Sequence, residues 1–317
     1  MNLNLNLPLI DISPFLKEAE MHTDSVSNAI AKKASAELMD KGHGIEDSKF
    51  KEILSLAREF FSQSPDEKEK ISITKGDLAR GYQRLGQNVT QYENDWHEGL
   101  DLYCPINESH KKIFKDTKIM TGENQWPTVK NFKKTYESYF KQLDILGRAT
   151  MRCMALALGQ EENFFLNSVD NSFWVCRVIG YPPLTKAVGD NVGISCGEHT
   201  DYGCLTFLLQ DETKDALQVL SKSGEWVNGN PVPGALVVNI GDCINIWTNN
   251  IYKSTLHRVI HKSDSYRISV PFFFEPNLDA KIEALESCLK ETGGEVKNKP
   301  VIYGEHLLSK VSKNFEL

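Results

Sequence analysis

From Phe173 onward the chain is a succession of short β-rich runs, FWVCRVIGY, CLTFLLQD, ALQVL, GALVVNIGD, HRVIHK and YRISVPFFFEP, divided by Gly, Pro, Asn and Asp turn signals. Strands of that length and spacing suit an antiparallel sandwich or barrel. No helix fits between them, which disfavours a parallel sheet, whose crossovers are long. The N-terminal half has another texture. Residues 24–41 and 48–63 carry apolar residues at three- and four-residue spacing, and the second run stops before Ser64-Pro65. A longer helix is expected from about Thr128 to Leu158, closed by Gly159, with a packing stripe of Phe132, Tyr136, Tyr139, Phe140, Leu143 and Leu146. The expected fold is mainly β, a helical N-terminal layer on a jelly-roll core, with no repeat and no clean linker.

Composition narrows the function. A net charge of -7 argues against a binder of nucleic-acid backbones, and no apolar run is long enough to span a membrane. The N-terminus, MNLNLNLPLIDISPF, lacks the basic start and apolar stretch of a signal peptide, so a cytoplasmic location is expected. The 7 cysteines form no C-x-x-C pair, which reads as reduced thiols. Sequons at Asn88 and Asn107 are read as chance matches. A monomer acting on a small molecule is the expectation.

The chemistry concentrates in GEHTDYGCLTFLLQD, residues 197–211. His199 and Asp201 stand two apart at the entrance to an apolar strand, so both side chains share a face, about 7 Å apart along the chain. A third metal ligand must come from another strand. His257 and His261, in TLHRVIHK, are the candidates. Four strand residues span roughly 13 Å, so only one of them can join the same ion. His257 is preferred because its strand leads directly to Arg267, whereas His261, beside Lys262 and Asp264, is expected at a surface turn. Two imidazoles and a carboxylate with open positions suit Fe(II) and O2 chemistry, although catalytic zinc uses a similar set. Arg267 and Ser269 then lie on one strand face, and a guanidinium beside a hydroxyl makes a carboxylate clamp. The plain alternative is an arginine paired with a nearby acid.

These residues resemble the iron(II)- and 2-oxoglutarate-dependent dioxygenases, in the branch similar to isopenicillin N synthase. RVIGYPPL is similar to the family's R-x-x-x-Y-P-P, and GEHTDYGCLTFLLQD to its G-x-H-T-D-Y-G-x-L-T-x-L-x-Q-D. VVNIGDCINIWTNNIYKSTLHRV and RISVPFFFEPN extend the likeness over almost all of 173–277. PLIDISPF, ARGYQRLG and DWHEGLDLY resemble the family more weakly. The resemblance implies a double-stranded β-helix with Fe(II) on His199, Asp201 and His257. It places 2-oxoglutarate against Arg267 and Ser269, with Tyr181 helping to hold it. It also implies O2 as co-reactant, ascorbate as an accessory reductant, and substrate hydroxylation with release of succinate and CO2. The chain divides accordingly into an N-terminal region of the non-haem dioxygenase type (1–168), the catalytic jelly roll (169–277) and a tail packed on it (278–317).

One departure stands out. Family members run from the first helix through a strand of the form G-F-F-x-(V/I)-x-N-H-G-I, but here Gly42 runs straight into His43-Gly44-Ile45. A strand of the main sheet is expected to be missing, with a loss of stability. Substrate selection is expected at the open end of the barrel, with Arg80, Tyr82, His97 and Glu98 as candidates. Two competing readings are an iron oxidase of this fold that takes no 2-oxoglutarate, and a non-catalytic truncated form acting as a binding protein.

Overall fold

The computed structural model describes residues 7, 9–12, 38–75, 79–90, 93–114, 120–184 and 194–314. In chain order the strands are β1 (Leu9–Asp11), β2 (Leu38–Lys41), β3 (Gly81–Gln83), β4 (Val89–Thr90), β5 (Glu93–Asn94), β6 (Glu98–Tyr103), β7 (Val175–Tyr181) and β8 (Cys196–His199). They continue with β9 (Leu205–Gln210), β10 (Leu217–Leu220), β11 (Trp226–Asn228), β12 (Leu236–Ile240), β13 (His257–Val259), β14 (Arg267–Phe274), β15 (Lys281–Ile282) and β16 (Val301–Ile302). An 8-stranded sheet has the order β1-β2-β12-β9-β14-β7-β6-β3, and a 4-stranded sheet the order β11-β10-β13-β8. The two face each other as a jelly roll. Ile179, Tyr181, Leu217, Val219, Val237 and Val259 fill the space between them.

The other face of the large sheet is covered by helices α1 (Asp47–Phe61) and α2 (Phe132–Ala157). Period-two alternation decides which side chains go where. On β14, Phe272 and Phe274 enter the helix-side core, while Arg267 and Ser269 turn into the barrel. A strand covered on both faces reads as a nearly continuous buried run, as RISVPFFF does. Close packing of α2 on the sheet depends on Gly147, since a Cβ there would run into the Phe274 ring. The expected helical stripe is buried, and α2 ends at Gly159 with φ +66, a left-handed position that favours glycine.

The strand expected to be absent is present. Leu38–Lys41, which the apolar spacing assigned to the helix at 24–41, forms β2, parallel to β1 and antiparallel to β12. Most of that expected helix, up to residue 37, lies outside the described residues. Gly42 and Gly44, with φ of +80 and +73, then turn the chain so that His43 and Ile45 are buried. The four residues before Gly42 thus occupy the sheet position, and the β12 edge is not left open.

His261 is a second correction. It is fully buried instead of at the surface: Ser195 Oγ accepts its backbone N–H, and its Nε2 donates to the Ser265 carbonyl at 2.6 Å. The turn through Ser263–Ser265 brings that carbonyl within reach, which the flanking Lys262 and Asp264 did not foretell. Downstream, helix α3 (Tyr303–Asn314) buries Tyr303 and Leu307 in the helix-side core.

Glu275, just past β14, is enclosed against Gly203, where a Cβ would meet its carboxylate. Burial pushes its carboxyl up from 4.5 to about 8. Between those values the folded chain holds a proton that the unfolded chain has lost, so stability falls as pH rises, by about 1.4 kcal/mol per pH unit at most. Glu275→Gln is expected to raise the urea midpoint of the metal-free protein at pH 8 and to leave it nearly unchanged at pH 5. Equal midpoint shifts at both pH values would show that the carboxyl is not protonated in the folded state.

Candidate metal and cosubstrate site

Antiparallel pairing of β8 with β13 sets His199 directly opposite His257, with ring centroids 4.3 Å apart. Asp201 lies two residues beyond the end of β8, where the chain turns toward β9. Its Oδ1 is 3.9 Å from Nε2 of each histidine. The tautomers follow from the partners. Nδ1 of His199 faces the Gly197 carbonyl at 2.8 Å, and Nδ1 of His257 faces that of Thr255 at 3.0 Å. Since a carbonyl only accepts, both Nδ1 atoms carry the proton, and both Nε2 lone pairs are left beside Asp201 Oδ1. Asp201 Oδ2 is already committed, accepting from Thr206 Oγ1 at 2.5 Å and from the Asn239 amide. Burial pushes the Asp201 carboxyl up, but the facing His257 and His199, with those two hydrogen bonds, hold it below its ordinary range. The result is two imidazole nitrogens and one carboxylate oxygen, a donor set that fits Fe(II) with open positions.

Deeper along the barrel lies a guanidinium with no acid beside it among the described residues. Arg267 is fully buried, yet among the described residues its one hydrogen bond is from Nη2 to Gln210 Oε1 at 2.9 Å, and its Nε and Nη1 find no partner. Among the described residues no carboxylate lies within salt-bridge distance, so the plain alternative of a structural ion pair is not what the chain builds. A buried charge in this state is costly unless an anion completes it. Tyr181 stacks under the guanidinium, 4.8 Å from ring centroid to Cζ, and its hydroxyl accepts from Ser269 Oγ at 3.4 Å.

The four substrate candidates divide. His97 sits beside Tyr181, with ring centroids 5.5 Å apart; its Nδ1 donates to the Ser195 carbonyl, and its Nε2 has no partner among the described residues. Burial, and then the charge of Arg177, push it down to about 3, so it is neutral. Tyr82 and Glu98 point the other way, into the helix side. Glu98 accepts there from Tyr82 and Lys68, each at 2.6 Å, and from Tyr266 at 2.7 Å. Arg80 is buried over the Tyr103 ring and donates to the Cys104 carbonyl. Tyr82 and Glu98 tie Lys68 of the helical layer to the sheet, Arg80 packs at the end of β6, and the structure does not bring these three to the histidines.

Thr206, Asn239 and Gln210, which orient the site, were not singled out in the sequence. The signal was available, since each lies on the inward parity of a strand whose apolar residues mark the outward face.

Residues 170–276 match the profile of the 2OG-Fe(II) oxygenase superfamily, and residues 7–129 that of the non-haem dioxygenase in morphine synthesis N-terminal region. Homoarginine-6-hydroxylase 2-ODD-233 of Oryza sativa subsp. japonica is 42% identical over 323 residues, covering 98% of this chain and 97% of the relative. The chain belongs to the 2-oxoglutarate–Fe(II) oxygenase superfamily. A second homoarginine-6-hydroxylase, from Glycine max, is also 42% identical, over 98% of this chain and 97% of its own. Among solved structures, a full-length Neurospora crassa protein in complex with alpha-KG superposes on this oxygenase with TM-score 0.83 at 26% identity, covering 99% of this chain and 98% of that one. A putative 2OG-Fe(II) oxygenase family protein from Caulobacter crescentus gives 0.78 at 25% identity, covering 97% and 98%. As a member of this family the oxygenase uses Fe(II), 2-oxoglutarate and O2 and acts on a small molecule. No helix among its described residues is long and apolar enough to cross a membrane.

Proposed function

We propose that this oxygenase hydroxylates a basic amino acid of the homoarginine type, with conversion of 2-oxoglutarate to succinate and CO2. The observation that carries the substrate class is the near full-length likeness to homoarginine-6-hydroxylases, which extends to one from Arabidopsis thaliana at 40% identity over 98% of this chain. In this reading His199, Asp201 and His257 hold Fe(II), and Arg267, Ser269 and Tyr181 hold the distal carboxylate of 2-oxoglutarate. The bound iron supplies the activation of O2 that breaks an unactivated C–H bond. The chain contributes position. Thr206 and Asn239 fix Asp201 so that one oxygen faces the metal, and the two backbone carbonyls fix the imidazole tautomers. Arg267, buried and held by Gln210 over the Tyr181 ring, is preorganised for an anion.

The near full-length likeness to hydroxylases favours this reading over an iron oxidase that takes no 2-oxoglutarate, which succinate formation would discriminate, and the presence of β2 favours it over a truncated binding protein. The test is an incubation with L-homoarginine, Fe(II), 2-oxoglutarate and O2, following succinate and the amino-acid product by mass spectrometry. The expected product is heavier by one oxygen atom, formed one-to-one with succinate. Succinate formation that no basic amino acid stimulates would remove the substrate assignment.

A further inference from the structure

Besides the histidine–aspartate triad, one other group among the described residues gathers metal-ligating atoms. Asp95, His97 and Cys196 each place a ligand atom within 4.8 Å of the others, the same envelope that encloses His199, Asp201 and His257. The proposed hydroxylation does not use them. Asp95 and His97 stand two apart in the connection from β5 to β6, the spacing that His199 and Asp201 also have. The Trp96 N–H donates to the Ile194 carbonyl at 3.1 Å, which lays this connection against the segment entering β8, where Cys196 is the first residue. Gly197 completes the fit. Having no side chain, it lets Thr90 of β4 rest against it, where a Cβ would come within 2.7 Å of the threonine methyl.

Each of the three is oriented as a metal ligand is. His97 Nδ1 donates to the Ser195 carbonyl at 2.7 Å, the same backbone-carbonyl arrangement that fixes the rings of His199 and His257. Its Nε2 keeps a lone pair, is buried, and has no partner among the described residues. The Asp95 carboxylate accepts from the Gly197 N–H at 2.9 Å through Oδ1 and from Thr90 Oγ1 at 2.7 Å through Oδ2, so each oxygen retains a lone pair. Burial pushes the Asp95 carboxyl up, the mark of a carboxylate short of counter-charge. Cys196 supplies a soft donor and is partly exposed, which leaves a way in. Its Sγ is 3.9 Å from His199 Nδ1, the side of that ring away from the nitrogen that faces Asp201. A thiolate, an imidazole and a carboxylate with a fourth position open form a zinc-type set, whereas the nitrogen and oxygen donors of the triad suit Fe(II). A coordinated thiol gives up its proton, and the two resulting negative charges then balance a divalent cation.

We propose that Asp95, His97 and Cys196 form a second metal site, for a thiophilic divalent cation of the zinc class, set behind His199 and beside Tyr181. Thr90 and Ser195 are its positioning residues. The site goes beyond the homoarginine reading and holds whichever small molecule the oxygenase oxidises.

The experiment uses the full chain with its thiols reduced, loaded anaerobically with Fe(II) and 2-oxoglutarate and titrated with Co2+ as the probe. A further equivalent of Co2+ is expected to bind with the near-ultraviolet charge-transfer band of a sulfur–cobalt bond, while the visible band of the iron chelate stays in place. Zn2+ added afterwards is expected to displace the cobalt and bleach the sulfur band. Cys196→Ser removes that band, and Asp95→Asn and His97→Gln weaken cobalt binding. Their losses exceed the about 10- to 100-fold expected of Thr90→Val, which deletes only a hydrogen bond to Asp95. The iron-chelate band shows that each of these variants is folded. Asp201→Ala, which lacks the carboxylate of the triad, is expected to keep the sulfur–cobalt band, so the second site stands even if the triad does not hold iron. Absence of the sulfur band in folded wild type would overturn the proposal. So would a band that persists in Cys196→Ser, an affinity unchanged in Asp95→Asn, or a band that grows only as the iron-chelate band is lost.

Discussion

Asp201→Ala is expected to abolish stoichiometric Fe(II) binding and substrate oxidation together. The carboxylate is the one anionic donor of the site, and its Oδ1 is the atom that both Nε2 lone pairs face. Thr206→Val and Asn239→Ala should cost less, about 10–100-fold in metal affinity or activity, as removal of an orienting partner does elsewhere. The measurement is Fe(II) titration of the metal-free protein, followed by single-turnover oxidation. If Asp201→Ala bound iron as tightly as wild type, the metal would have to sit elsewhere. Equal losses in all three variants would mean that the two supporting hydrogen bonds act through folding rather than through orientation.

Arg267→Gln is expected to raise the 2-oxoglutarate concentration for half-maximal turnover by about 100- to 1,000-fold. That is about 3–4 kcal/mol, the range for removing one partner of a buried charge pair. The folded metal-free protein should lose little stability, or gain some, because the substitution removes a buried charge with no acid beside it among the described residues. The two effects have opposite signs, so together they distinguish a receptor from a structural ion pair. A structural arginine would show a large drop in melting temperature and an unchanged cosubstrate requirement. Equilibrium unfolding of the metal-free protein and 2-oxoglutarate saturation curves settle the point.

How much of this was legible beforehand depends on which residues are asked about. His199-x-Asp201, and Arg267-x-Ser269, could be read because a strand repeats every two residues, so each pair shares a face wherever the strand goes. The same ruler showed that His257 and His261 could not both reach one ion, and the strand leading from His257 to Arg267 decided between them. The buried helical stripe of α2 and its glycine stop were equally local matters. Length could not separate helix from strand at 38–41. A four-residue run that fits the end of an apolar helical pattern also fits a strand, and the open edge of β12 gives it a partner.

Parity says which side chains travel together, but not which face of the sheet becomes the barrel interior. Tyr82 and Glu98 belong to the same two strands as Gln83 and Asp101, one residue out of phase, and that single step sends them to the helices instead of the barrel. Nor does the sequence show that Arg267 has no acid beside it among the described residues while Arg177 pairs with Asp101, because the acids that could reach them lie on strands distant in the chain. The candidate ligands His199 and Asp201 were thus legible in local spacing. The imidazole tautomers, and the setting of Arg267 with no acid beside it among the described residues, arise only when the strands are brought into register.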